Sequence, residues 1–260
     1  MRENALKQKL AQGETAFGTM VFEMTSPGLP QILSSSGAEF VLYDMEHSGL
    51  SYETLKLQVA LSRGLPITPL VRVPSGDYQF ISRALDQGAQ GIMVPMIETA
   101  KAAEAFVAAT RYPTLGVRGA AFGISHDDYI QDPVREKMEI ANARCLNIAL
   151  VETPRGIENV EEIAAVDGID AIWFGHFDLS SFLGIPGQFG HAEMAAALEQ
   201  AKAACRKHGK VLSGLVNDAE TGQRWMENGF RLLAYSTDIW LLQNALRSGI
   251  EQLKASVRSI

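Results

Sequence analysis

Eight times along this chain a short apolar run is followed by an amphipathic stretch, and few folds accommodate that alternation. The candidate strands cover 17–22, 40–43, 68–71, 91–94, 146–151, 171–174, 211–216 and 232–235. Between them lie segments such as TAKAAEAFVAATRY, IENVEEIAAV and HAEMAAALEQAKAACRKHG, whose apolar residues recur every three or four positions, the spacing of one helical face. Strands alternating with helices imply parallel βαβ units, and near-continuous apolar strands imply a sheet covered on both faces. An open doubly wound sheet shows the same alternation. Eight regular units with no GxGxxG after the first strand favour closure into an α/β fold of the (β/α)8 TIM barrel type.

The 260 residues match the length of one such barrel, and no linker or low-complexity tract interrupts them, so a single domain over 1–260 is expected. Apolar residues at 47% supply enough material for one large core. The net charge of -7 offers no basic field to a phosphate backbone, so nucleic acid is not an expected partner. No run reaches the roughly 18 apolar residues of a membrane span, and the opening MRENALKQKLAQGE is too polar for a signal peptide, so a cytoplasmic protein is expected. The two cysteines, Cys145 and Cys205, lack metal-ligand spacing and read as buried thiols. One long connection, from about 97 to 144, contains a helix and then the irregular PTLGVRGAAFGISHDDYIQDP, which is expected to shape the pocket from the catalytic rim.

In a barrel the chemistry gathers at the C-terminal ends of the strands. The first polar residues after the apolar runs are Asp44, Glu46 and His47 after the second, and Arg72 after the third. Glu152 and Thr153 follow the fifth, His176 and Asp178 the sixth, Asn217 and Asp218 the seventh, and Ser236 to Asp238 the eighth. Parallel neighbours lie about 4.8 Å apart, so Glu152 and Asp178, ending adjacent strands, are placed to share one small hard cation. Alternatively, each caps the helix that follows. Arg72 can clamp a carboxylate and offset an enolate's charge, or form an ion pair with Asp44 or Glu46. His47, beside two carboxylates, has the form of a general acid/base.

YDMEHS, LVRVP, GAQGIMVPMIETA, PTLGVRG and VETPRGIENVEEIAAVDGIDAIWFGHFDLSSFLG together resemble the HpcH/HpaI family of metal-dependent pyruvate-type aldolases, over about 18–238. The resemblance implies a divalent metal ion, Mg²⁺, Mn²⁺ or Co²⁺, held by Glu152 and Asp178 and completed by a 2-oxo acid. It implies Lewis-acid stabilisation of an enolate, with Arg72 on the pyruvate unit, and small-molecule partners, a 2-oxo acid and an aldehyde. His47, held by Asp44, would move protons through water; Glu46 would orient metal-bound water; the N–H groups around Phe177 and Asp178 would hold the substrate carboxylate. It further implies a homohexamer built from dimers that exchange the last helix, for which IWLLQNALRSGIEQLKASV has a suitably broad apolar face.

The chain departs from the family pattern at three places. Leu150 stands where a Gln is usual, Gly175-His176-Phe177-Asp178 replaces G-P-x-D, and His126 lies near the place of an absent arginine. Two other readings share the site: decarboxylation of an oxaloacetate-type 2-oxo acid, because the enolate is common to both reactions, and a catalytically silent barrel that binds a 2-oxo acid.

Overall fold

Each of the eight apolar runs forms a strand: β1 (Ala16–Val21), β2 (Phe40–Asp44), β3 (Thr68–Arg72), β4 (Gly91–Val94), β5 (Leu146–Val151), β6 (Ala171–Phe174), β7 (Val211–Val216) and β8 (Phe230–Thr237). In the computed structural model, which describes residues 1–257, every strand pairs in parallel with the next, and β8 pairs with β1 to close a barrel. The TIM barrel expected from the alternation is the observed fold. No helix among the described residues is long and apolar enough to cross a membrane.

Side chains alternate across each strand, and this sorts the apolar residues into two cores. Leu42, Leu70, Met93, Leu150 and Trp173 fill the barrel interior, whereas Tyr43, Val71, Ile92, Val151 and Phe174 pack outward against the helices. Counting on by twos carries the inward rows to Asp44, Arg72, Glu152 and Gly175. The polar rim is therefore the next layer of the interior stack, set there by strand parity.

The outer helices include Ala100–Thr110 and Ala192–His208, while IENVEEIAAV contributes to two short helices, Pro154–Glu158 and Val160–Ala165. The polar N-terminus holds a helix, Ala5–Ala11, whose Leu6 and Leu10 are buried against the interior cluster at the barrel's N-terminal end. Asn4 fastens it there, its side-chain amide donating to the carbonyls of Gln90 and Arg144, 2.8 Å each.

The long connection does not line the cavity of its own chain. After helix Ala100–Thr110 the chain forms a short 3-10 turn, Ser125–Asp127, and a second helix, Val134–Arg144. Arg63 donates to the Ser125 carbonyl at 2.9 Å, Ser125 to that of Gln87 at 2.9 Å, and the Arg2 N–H to Asp128 at 3.3 Å. Gln87 ends the helix Tyr78–Asp86 and Arg2 precedes the N-terminal helix, so these bonds draw residues 125–128 toward the face opposite the rim, while the Gly119 N–H donates to the Tyr78 hydroxyl at 2.7 Å. None of residues 112–133 lines the cavity described below.

Candidate active site

At the C-terminal ends of the strands lies a cavity of about 230 Å³. Its floor is apolar, made by Met20, Met93, Leu150, Trp173 and Leu215, and its polar wall by His47, Arg72, Glu152 and Asp178. The space is smaller than the roughly 300–1,000 Å³ of drug-sized ligand clefts, which favours a small substrate.

The pairing of β2 with β3 sets Asp44 directly opposite Arg72. Asp44, fully buried, accepts from Arg72 Nε at 2.7 Å and from the backbone N–H groups of Glu46 and His47 at 3.1 and 3.0 Å. One carboxylate thus both anchors the guanidinium and bends the chain after β2. Glu46 Oε2 approaches Arg72 Nη1 at 3.2 Å and His47 Nε2 at 3.6 Å. The expectation that Asp44 holds the His47 imidazole is corrected: Asp44 holds its backbone, and the ring, itself more than half exposed, faces Glu46. Among the described residues Arg72 Nη2 makes no hydrogen bond to protein.

Glu152 is 4% exposed, and its Oε1 accepts from the N–H of Met96 at 2.9 Å. Met96 is held at φ 56, a left-handed conformation costly for this side chain, so the turn after β4 bears strain where it meets the carboxylate. Burial pushes the Glu152 carboxyl up to about 7, with the charges of Asp178 and Glu46 adding to the rise against the Met96 N–H and Arg72. Burial likewise raises Glu46, and Asp44 and Asp178 add to that. Gly175 makes room: a Cβ there would sit 2.5 Å from Glu152 Cβ and 2.9 Å from its Oε2.

Capping does not account for these acids. Thr153 caps the helix after β5, its Oγ1 accepting from Gly156 N–H at 3.0 Å, which leaves Glu152 to the cavity. Asp178 is exposed in the first turn of helix His176–Phe182, whose N-cap, Gly175, has no side-chain bond. The N–H groups of Phe177 and Asp178, in that first turn, have no partner within their own helix. Other rim acids are structural: Asp218 caps the helix after β7, and Asp238 accepts from the N–H groups of Phe22, Glu23 and Met24.

Leu150 lies in the floor, in register with Trp173. His176 is buried among Phe177, Phe189 and Trp225, at ring distances of 4.4, 4.7 and 5.2 Å. Burial holds it down to about 4, against a backbone hydrogen bond to Phe174, so at neutral pH it is an uncharged aromatic ring. His126 is remote from the cavity, its Nε2 donating to the Ala121 carbonyl at 2.7 Å. Cys145 and Cys205 are buried and free, and burial raises their thiols to about 11 and about 12, out of reach of nucleophilic use. Sequence reading missed the apolar lining contributed by Phe22, Trp173, Ile239 and Trp240. The parity of β1 and β6 was the available signal for Phe22 and Trp173; nothing local marks the other two.

A metal-ion site fits these residues in donor chemistry. Among the described residues no group of three or more His, Cys, Asp and Glu side chains is arranged to hold an ion, so the protein would supply two carboxylates and leave the other positions to ligand and water. Hard oxygen donors suit a hard divalent cation, and Glu152, buried beside like charges in the space Gly175 leaves, is a donor whose ionised form a cation would stabilise.

The closed barrel with a charged cavity at its strand ends defines a barrel enzyme. The chain belongs to the HpcH/HpaI aldolase/citrate lyase family, whose model matches residues 19–245, and is a carbon–carbon lyase. It is similar to a hydroxypyruvate/pyruvate aldolase of Roseovarius nubinhibens, 32% identical over 94% of each chain. A 2-keto-3-deoxy-L-rhamnonate aldolase of Klebsiella pneumoniae is 31% identical over 97% of this chain and 94% of the relative. The crystal structure of an HpcH/HpaI aldolase from Desulfitobacterium hafniense superposes with a TM-score of 0.92, at 30% identity and 96% coverage of both chains.

Proposed function

We propose that this protein is a divalent-metal-dependent aldolase that cleaves, or in reverse forms, a 4-hydroxy-2-oxo acid from pyruvate or a related 2-oxo acid and an aldehyde. The observation that carries it is the convergence of Arg72, Glu152 and Asp178 on one small cavity with an apolar floor. Glu152 and Asp178 would hold the ion, Mg²⁺, Mn²⁺ or Co²⁺, which when bound supplies Lewis-acid polarisation of the 2-oxo group.

The chain's own residues do the rest. The first-turn N–H groups of Phe177 and Asp178 receive the substrate carboxylate. Arg72, pinned by Asp44 and Glu46, presents a fixed positive charge to oxygen that becomes negative in the transition state. In cleavage, His47, paired with Glu46, takes the C4 hydroxyl proton through water. The C3–C4 electron pair then moves into the enolate, the aldehyde departs, and C3 takes back a proton. The floor keeps water from the enolate.

A homo-oligomer belongs to the same reading. Helix Asp238–Val257 buries only Asp238 and exposes Leu242, Leu246, Ile250 and Leu253 at helical spacing, a stripe that a second copy would cover. Small metabolite partners and two free thiols agree with a cytoplasmic setting.

The test is to strip the protein with chelator, restore each ion separately, and follow deuterium exchange at the pyruvate methyl by NMR. Metal-dependent exchange that disappears in Glu152→Gln is expected; no exchange with any ion overturns the reading.

A further inference from the structure

The aldol reading leaves open which aldehyde meets the enolate, and the rim of the cavity bears on that choice. Beyond the polar wall the opening is bounded by Phe22, Phe177, Ile239 and Trp240. Among the described residues lining the cavity the one hydroxyl is that of Thr237, whose Oγ1 accepts from the Trp240 N–H at 3.3 Å and has a single proton left to donate. An aldehyde carrying several hydroxyls would leave most of them without partners against this surface, at roughly 5- to 150-fold in affinity for each group left unpaired.

Charge points the same way. Glu152 and Asp178 line the cavity, and Glu46 stands behind Arg72 and His47. The cationic groups lining it are Arg72, committed to two carboxylates, and His47, which faces Glu46. With Glu152 and Asp178 holding the ion, a distal carboxylate on the aldehyde would still find no cation without a carboxylate partner among the described residues lining the cavity.

Phe177 supplies the positive attraction. Its ring is 40% exposed, yet it is braced by His176 at 4.4 Å, Phe189 at 5.0 Å and Trp240 at 6.1 Å. A rigid aromatic ring left facing the opening gains from any apolar group that covers it, and its ordering entropy has already been spent. We propose that the aldehyde partner carries an apolar group, aromatic or branched aliphatic, and that the Phe177 ring selects it. The inference rests on the aldolase reading and names the substrate class of the same site.

Pyruvate and the reconstituted metal enzyme are supplied with benzaldehyde, isovaleraldehyde, glycolaldehyde or succinic semialdehyde, and kcat/KM is measured for each. Benzaldehyde is expected to exceed succinic semialdehyde by about 30-fold, the factor that burying a ring-sized apolar group implies. In Phe177→Ser the benzaldehyde-to-glycolaldehyde ratio should fall at least about tenfold; a ratio within one variant cancels any change in donor activation. Preference for the semialdehyde or glycolaldehyde, with pyruvate exchange intact, overturns the inference and leaves the aldolase reading standing.

Absent exchange overturns the aldolase reading, and a binding measurement then decides the cavity's chemistry. All three tryptophans report on it, because Trp173 and Trp240 line the cavity and Trp225 packs on His176. Saturable change of their fluorescence by benzyl alcohol, weaker in Phe177→Ser and not matched by 4-hydroxybutyrate, supports the apolar subsite; the reverse order overturns it.

Discussion

At the rim Glu152, Glu46 and Asp178 crowd carboxylates around one paired guanidinium, whereas beneath segment 113–133 the buried Asp127 and the half-buried Asp86 each face their own cation. There Lys137 Nζ lies 2.7 Å from Asp127, and Arg118 Nη2 lies 2.8 Å from Asp86 with its guanidinium over the Tyr112 ring. The two regions titrate in opposite directions. Burial pushes on Asp127 as it does on Glu152, but the Lys137 hydrogen bond and the Gly123 N–H outweigh it, and Asp127 ends below the usual carboxylate range. Glu152 ends above it. Compensated charges hold a loop in place; uncompensated charges mark where a ligand is awaited.

Five experiments sharpen or break this contrast. Glu152→Gln keeps the shape and the acceptor for Met96 but removes the charge, so pyruvate exchange should fall by more than about 10³-fold with the fold unharmed; exchange within tenfold of wild type breaks the comparison. Arg72→Ala should lower exchange by about 10²-fold and, by stranding Asp44 as a buried unpaired charge, destabilise the fold by about 3–5 kcal/mol in urea unfolding.

Lys137→Met should cost a similar 3–5 kcal/mol by stranding Asp127, yet leave exchange by the folded protein unchanged, and adding Asp127→Leu should restore most of the stability. A loss of exchange in the double variant would show that the loop serves the site.

The fourth contrast is one of pH. The native pKa of Glu152, about 7, lies above its ordinary 4.5, so the native state holds the proton longer than the unfolded chain. Its contribution is full below 4.5 and is lost as pH rises toward 7, a fall of about 3 kcal/mol in metal-free buffer. Urea unfolding at pH 5 and pH 8 should show a steeper fall in wild type than in Glu152→Gln, where only the raised Glu46 still contributes at the rim. Last, Gly175→Ala places a Cβ against Glu152 and should cost about 1–3 kcal/mol by overcrowding; a neutral melting temperature would show that Glu152 is free to move.

Much of the rim was legible before the fold was seen, because parity along a strand is a local property. Asp44, Arg72 and Glu152 sit two residues beyond Leu42, Leu70 and Leu150 on inward rows, and closure brings the rows together. The partner of His47 was not legible. Asp44, Glu46 and His47 are within four residues, and whether the ring or the backbone takes Asp44 depends on where Arg72 lies across the sheet. The path of 113–133 escaped for the same reason: PTLGVRGAAFGISHDDYIQDP has no period, and its anchors, Arg2, Arg63 and Gln87, are distant in sequence.

By itself the sequence determined the barrel, the identity of the carboxylates and arginine at its rim, and the inert, buried character of both cysteines, since each follows from periodicity and position along one strand or helix. Tertiary structure alone decided that Glu152 is driven up to about 7 and His176 down to about 4, that Phe22, Phe177 and Trp240 share one opening, and that the charges beneath 113–133 cancel. Desolvation and Coulomb interaction depend on neighbours brought together by chain closure, and no local pattern records them.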